Sequence, residues 1–355
     1  MSARAWAGFF AMSTIWGVPY LFIKVAVDDG VPPAFLAWSR VVLGAAVLLF
    51  LAWRAGTLGS LRGRGRWLAM FAVFEIAVPF PLIAAGEQHV DSSVAAIIIA
   101  AAPLIVAVLA LRFDASERVS GRRLVGLLIG LGGVVALVGI DIAGSTDELL
   151  GAGAILVAAA GYAAGPMVLN RTLADADPRA TMGASLAIAA ALLTPFAAAA
   201  PPAATPSGEA IGALLVLGLV CTAAAFVIYS GLIAEIGPGR ALVITYVAPV
   251  VAVALGVSVL GERPGAGAIA GLLLIIAGSW LSTDGRLPPG PSAAVAAVLL
   301  RRRRRRGAAA PAAEPGGQPS STTIRITTTT TKMPTNAGTI GFWRHQNSGL
   351  ARSRV

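Results

Sequence analysis

Glu75 stands inside an apolar run, about Trp67 to Ala85, with Phe71 to Phe74 before it and Ile76 to Val78 after it. Such a run is long enough to cross a membrane, and a carboxyl eight residues into it lies about 12 Å from the nearer end at ~1.5 Å per residue, close to the midplane. An ionisable group at that depth is costly enough to be a functional candidate by default. Two chemistries suit it. Without a cation beside it, desolvation favours the neutral acid, which fits a coupling proton; locked to a cation, it is an assembly pair. Arg40 is the natural partner to test, since it lies about 10 Å inside its own span and carries a long stem. Its planar fork equally suits a substrate carboxylate or phosphate, and a third reading has it snorkelling outward. Lys24 is nearer the interface, where snorkelling is the favoured reading beside a substrate contact.

Four aromatic residues, Trp16, Tyr162, Tyr229 and Tyr246, either wall a cavity for an amino-acid-sized or drug-sized ligand or serve as helix packing. Glu87, His89 and Asp91 gather at the far end of the Glu75 span, as a solvated loop or a proton gate. Four prolines in apolar runs, Pro79, Pro81, Pro103 and Pro249, remove a backbone hydrogen bond each and are candidate helix breaks. No residue pattern points to catalysis: the spans and loops carry no paired histidines, catalytic dyad or metal-ligand spacing, and no nucleotide-binding loop. Neither cofactor nor metal is expected.

These residues need long apolar helices to hold them. The chain of 355 residues is 57% apolar and 12% charged, with a mean hydropathy of +0.80, far too little polar surface for a water-soluble globule. Nothing alternates with period two, so the runs are read as helices and a β-barrel is excluded. The pattern predicts ten spans: about Trp6 to Val27, Ala34 to Trp53, Trp67 to Ala85, Ser92 to Leu111, Leu124 to Ile140, Leu149 to Leu169, Thr181 to Ala200, Ile211 to Ala234, Ala241 to Leu260 and Ile269 to Ser282. The net charge of +10 includes the run Arg301 to Arg306, so nucleic acid is not an expected partner. A single cysteine, Cys221, excludes an intrachain disulfide.

The chain repeats itself. Ala102-Pro103, Glu117-Arg118, Gly126-Leu127-Leu128 and Gly133 return as Ala248-Pro249, Glu262-Arg263, Gly271-Leu272-Leu273 and Gly278; the spacing is 249 − 103 = 146 for the first pair and 262 − 117 = 145 for the others. Five spans per copy is an odd number, so the second copy enters the membrane upside down, the inverted-repeat architecture of secondary transporters. The expected domains are residues 6–140, residues 149–283, and a disordered basic cytoplasmic tail over 284–355. Arg4, Arg54, Arg62, Arg64, Arg66, Arg112, Arg118, Arg122 and Arg123 fall on one side of the first half and the acids Asp28, Asp29, Glu87, Asp91, Asp141, Asp147 and Glu148 on the other, which predicts that both termini are cytoplasmic. Gly126, Gly130, Gly133, Gly271 and Gly278 sit at near-helical spacing, as packing residues or as the face of a homodimer.

Trp16-Gly17 with Lys24 in the first span, Arg40 in the second, and Pro103 followed by Glu117-Arg118 and a glycine-rich helix together resemble the EamA family of the drug/metabolite transporter superfamily. The resemblance covers about residues 6 to 283, with Pro249 and Glu262 matching in the second copy. It implies ten helices, a central cavity between halves, alternating access, and usually export of metabolites, amino acids or toxic compounds. Glu75 has no place in the family pattern. The resulting expectation is a multi-pass cell-membrane secondary transporter, surrounded by membrane lipids, that exports a small metabolite, amino acid or drug-like compound by alternating access, with a polytopic membrane enzyme or a passive channel for a small solute as the alternatives.

Overall fold

The computed structural model describes residues 3–113, 121–142, 144–236 and 244–282, and among these every regular element is a helix. Among the described residues seven helices are long and apolar enough to cross a membrane: α1 (Trp6–Asp28), α2 (Pro33–Arg54), α3 (Gly65–Gly86), α5 (Leu124–Ile142), α6 (Thr146–Thr172), α7 (Pro178–Ala199) and α8 (Gly208–Leu232). Three shorter apolar helices accompany them, α4 (Ser92–Val106), α9 (Ile244–Val259) and α10 (Ala266–Leu281). Glu117, Arg118 and the tail from residue 283, with Arg301 to Arg306, lie outside the described residues.

Helix starts are marked as the sequence chemistry requires. Pro33 and Pro178 occupy first-turn positions, where a missing N–H costs nothing. Ser145, Asp177 and Ser207 accept hydrogen bonds from the first-turn N–H groups of α6, α7 and α8. Two further helices are capped from across the fold. Glu262, in the turn before α10, accepts from Ser92 N at 2.8 Å and Ser93 N at 3.0 Å at the start of α4. Asp141, at the end of α5, accepts from Gly267 N at 3.1 Å and Ala268 N at 2.6 Å at the start of α10.

Two helix crossings are built on glycine. α5 meets α10 backbone to backbone: a Cβ on Gly278 would lie 2.5 Å from Gly126 O, and one on Gly271 would lie 2.9 Å from Gly133 O. Gly126 and Gly271 occupy matching places in the two sequence copies, as do Gly133 and Gly278, so one contact is the other with the copies exchanged. α3 meets α6 in the same manner, where a Cβ on Gly161 would lie 2.5 Å from Phe74 O and one on Gly86 would lie 2.8 Å from Gly151 O.

Contacts between connections sort into two sets. Asp29 accepts from Ser207 N, Lys24 donates to Glu87 O, Glu262 caps α4 and Asp141 caps α10. Elsewhere, Arg64 forms a bidentate pair with Asp175 and donates to Thr172 O. The hydrogen bond from Arg64 holds the Asp175 carboxyl down to about 2.

Candidate functional site

Arg40 is the most deeply placed cation among the described residues, 8% exposed on α2. Its Nε donates to Thr222 Oγ1 at 2.9 Å, and the guanidinium lies over the Phe80 ring at 4.1 Å. Both partners are neutral. α8 makes this geometry by winding as a π-helix over Val216–Ala224, so that Thr222 Oγ1 donates five residues back to Leu217 O at 2.8 Å and offers its lone pair to Arg40. The approach of α2 and α8 needs Gly218, where a Cβ would lie 2.6 Å from Leu43 Cβ.

Glu75 also sits in a π-helical stretch, Val73–Ala77, in the middle of α3. That stretch and the one in α8 overlap when the sequence copies are superposed, since Glu75 falls on Cys221 at the 146-residue spacing. The side chain of Glu75 fits against α6 at Gly165, where a Cβ would overlap the carboxyl, and its buried Oε2 has no hydrogen-bond partner among the described residues. The expected Glu75–Arg40 pair is absent from the ion pairs of the described residues. The reason is direction: Thr222 of α8 and Phe80 of α3 hold the guanidinium, while Glu75 turns into the Gly165 notch of α6. Tyr162, also on α6, stands in electrostatic range of both, and Tyr229 in range of Glu75.

The remaining candidates divide. Trp16 and Tyr229 pack ring against ring, centroids 4.6 Å apart, so α1 and α8 close one flank of the region. Tyr246 lies in the same aromatic cluster and donates to Ser279 O at 3.3 Å, which ties α9 to α10. Lys24 does not reach Glu75 or Arg40. It pairs with Asp28 at 2.9 Å and donates to Glu87 O at 3.1 Å, consistent with its place near a helix end. Of the three polar residues after α3, His89 and Asp91 are exposed while Glu87 is fully buried, and neither carboxyl oxygen of Glu87 has a hydrogen-bond partner among the described residues.

The prolines act unequally. Pro79 directly follows the π-helical stretch of α3, and Pro103 follows the interruption at Ala100–Ala101 that separates Ser92–Ile99 from Ala102–Phe113. Pro249 lies within the helix Ile244–Val259 and Pro81 within Pro79–Gly86. Pro249 is buried in the bundle, beside the Ala248 carbonyl on which Gly17 of α1 closes at 2.7 Å from its would-be Cβ.

Thr222 and Phe80, the two side chains that hold Arg40, carry no signal in the sequence, being a hydroxyl and a ring in apolar runs like many others. A groove of about 360 Å³ between α4, α5 and α6, lined by Leu104, Leu131, Val134 and Leu156 among others, is apolar throughout and offers no group to orient a polar ligand. No group of three His, Cys, Asp or Glu able to hold a metal ion occurs among the described residues.

The model of the EamA-like transporter family matches residues 4–139 and again residues 149–283. The uncharacterized inner membrane transporter YedA of Escherichia coli K12 is 31% identical over 265 residues, covering 71% of this chain and 82% of that protein. A probable terminal-alkyne amino-acid exporter of Streptantibioticus cattleyicolor is 30% identical over 290 residues, 79% of this chain and 93% of its own length. The protein PagO of Salmonella typhimurium matches over a shorter stretch, 32% identical across 37% of this chain and 42% of PagO. A solved crystal structure covering 80% of this chain and 98% of its own superposes with a TM-score of 0.57 at 22% identity, a likeness of fold alone.

Proposed function

This chain belongs to the EamA-like transporter family, a family of multi-pass membrane proteins, and from that premise we propose that it is a secondary-active exporter of a small metabolite, amino acid or drug-like compound, working by alternating access. The proposal includes ten crossings, in two inverted repeats over residues 6–140 and 149–283, with both termini cytoplasmic. Two observations support the ten crossings. Asp29, Glu87, Asp141, Ser207 and Glu262 lie in or beside the connections α1–α2, α3–α4, α5–α6, α7–α8 and α9–α10, and each bonds within that set. Arg64 and Asp175, in the connections α2–α3 and α6–α7, bond to each other. This is the sorting that ten alternating crossings require. The exchangeable contacts Gly126–Gly278 and Gly133–Gly271 support a two-fold relation between the copies.

The observation that carries the functional reading is Glu75: a mid-span carboxyl with no cation paired to it among the described residues, set in a π-helical stretch with Tyr162 and Tyr229 in electrostatic range. Such a group suits a coupling proton. Outward-facing side chains such as Phe10, Phe50, Val135 and Leu150 meet lipid, and a homodimer would use this same surface. The relative named as an amino-acid exporter makes amino acids the first compounds to assay.

The test is efflux of an amino-acid, metabolite and drug panel from cells expressing wild type or Glu75→Gln, each with and without an uncoupler. Export of one compound that both the substitution and the uncoupler abolish is the expected result. Undiminished, uncoupler-resistant export by Glu75→Gln removes the coupling role, and flux that never saturates with concentration makes the chain a channel.

A further inference from the structure

An arginine buried ~10 Å inside a membrane span ordinarily finds an acid, because leaving its charge unpaired in a poorly polarisable interior is costly. Arg40 has none. Its contacts are the Thr222 hydroxyl through Nε and the face of Phe80. Among the described residues no ion pair includes it, and its two terminal NH2 groups have no hydrogen-bond partner. The groups in electrostatic range from the helices packed around it are Tyr20 on α1, Tyr162 on α6, Cys221 on α8 and, beyond ion-pair distance, Glu87 after α3. Thr222 Oγ1 also donates to Leu217 O, so Arg40 is not the only group that holds this hydroxyl.

The guanidinium is nonetheless held in one orientation. Thr222 fixes the Nε edge and Phe80 covers one face, which leaves the NH2 ends as a fork of donors with Tyr162 nearby. A planar fork whose far edge is unpaired matches the two oxygens of a carboxylate or of a phosphoryl group. We propose that Arg40 is the anion subsite of the transported molecule, and that the substrate is a small organic anion whose acidic group docks on the Arg40 fork. Helices from both sequence copies build the subsite, α2 and α3 from the first and α8 from the second.

The inference rests on the transporter reading but is tested by binding, so the two fail separately. Wild type, Arg40→Met and Arg40→Gln are reconstituted in lipid nanodiscs, and melting is followed by helical circular dichroism. Titrants are 3-phenylpropionate, its neutral carboxamide and inorganic phosphate. A charge kept for an absent ligand destabilises the empty protein, so both variants melt above wild type without titrant. Phenylpropionate or phosphate then raises the wild-type melting temperature, the carboxamide binds on the order of tenfold more weakly or worse, and neither variant responds. Which anion acts separates a carboxylate substrate from a phosphorylated one. Variants that melt below wild type or fail to fold overturn the proposal, because Arg40 is then structural. So does a wild type that ignores both anions or answers the carboxamide equally well. Anion binding without transport leaves the subsite standing and removes the transporter reading alone.

Discussion

Glu262→Ala should be among the most destabilising single changes outside the bundle core. Its two carboxylate oxygens accept from the N–H groups of Ser92 and Ser93, the first donors of α4, and both serines are fully buried. Neither N–H can turn to water when the carboxylate is gone. A hydrogen bond to a charged group contributes about 1.5–3 kcal/mol. Two of them, with some allowance for a partly accessible acceptor and for water entering the vacated space, put the loss at about 3 kcal/mol. Glu262→Gln keeps one oxygen acceptor and loses the charge, so about half of that loss is expected. Cys221 supplies the assay, because it is the only cysteine of the chain and 2% exposed. A thiol-reactive fluorophore therefore reports unfolding without further labelling, and the expected order of melting is wild type above Gln above Ala. An Ala variant that melts with wild type, or a Gln variant as weak as Ala, refutes the capping argument. Gly261 belongs to the same device: its φ of +70° turns the chain so that the next residue faces α4, and alanine there strains the turn.

The same thiol assay reads two more predictions. Gly133→Ala would place a methyl 2.8 Å from Leu274 Cβ and 2.9 Å from the backbone at Gly271 O and Ile275 N, atoms that cannot step aside, for a cost of about 1–3 kcal/mol; Gly132→Ala, with nothing within 4 Å, should melt with wild type or above it, and equal losses at the two sites would refute the steric account. Burial pushes the Glu87 carboxyl well above its usual range, aided by Glu262 and Asp28 and opposed by Lys24 and Arg40. The folded chain thus holds this proton more tightly than the unfolded chain, so Glu87 costs nothing near pH 4 and progressively more as pH rises above the unfolded pKa of about 4.3. Glu87→Gln should match wild type at pH 4 and exceed it at pH 8; parallel melting curves across that range would contradict the assignment.

Long apolar runs made the helices legible, and the Gly126/Gly271 and Gly133/Gly278 repeats announced a crossing without naming its partner. Whether those glycines serve the chain or a second copy is a tertiary question, and here they pack within the chain. Glu75 stood out because charge in an apolar run is conspicuous. Its separation from Arg40 was not legible, because depth along a helix says nothing of azimuth, and azimuth is altered by the extra residue that a π-helical turn inserts. Glu262 illustrates the same limit. Its place in a Gly-Glu-Arg turn is plain in the sequence, but the N–H groups it caps lie 169 and 170 positions away. Pro249 shows the converse, a conspicuous residue whose helix continues around it.

The α5–α10 crossing has a mechanical consequence. Where glycine backbone rests on glycine backbone there are no rotamers to exchange and no side-chain gap to take up, so sliding or separating the two helices forfeits contacts on both sides at once. Rotation about the point of contact forfeits far less. The seam therefore resists sliding and separation more than it resists rotation.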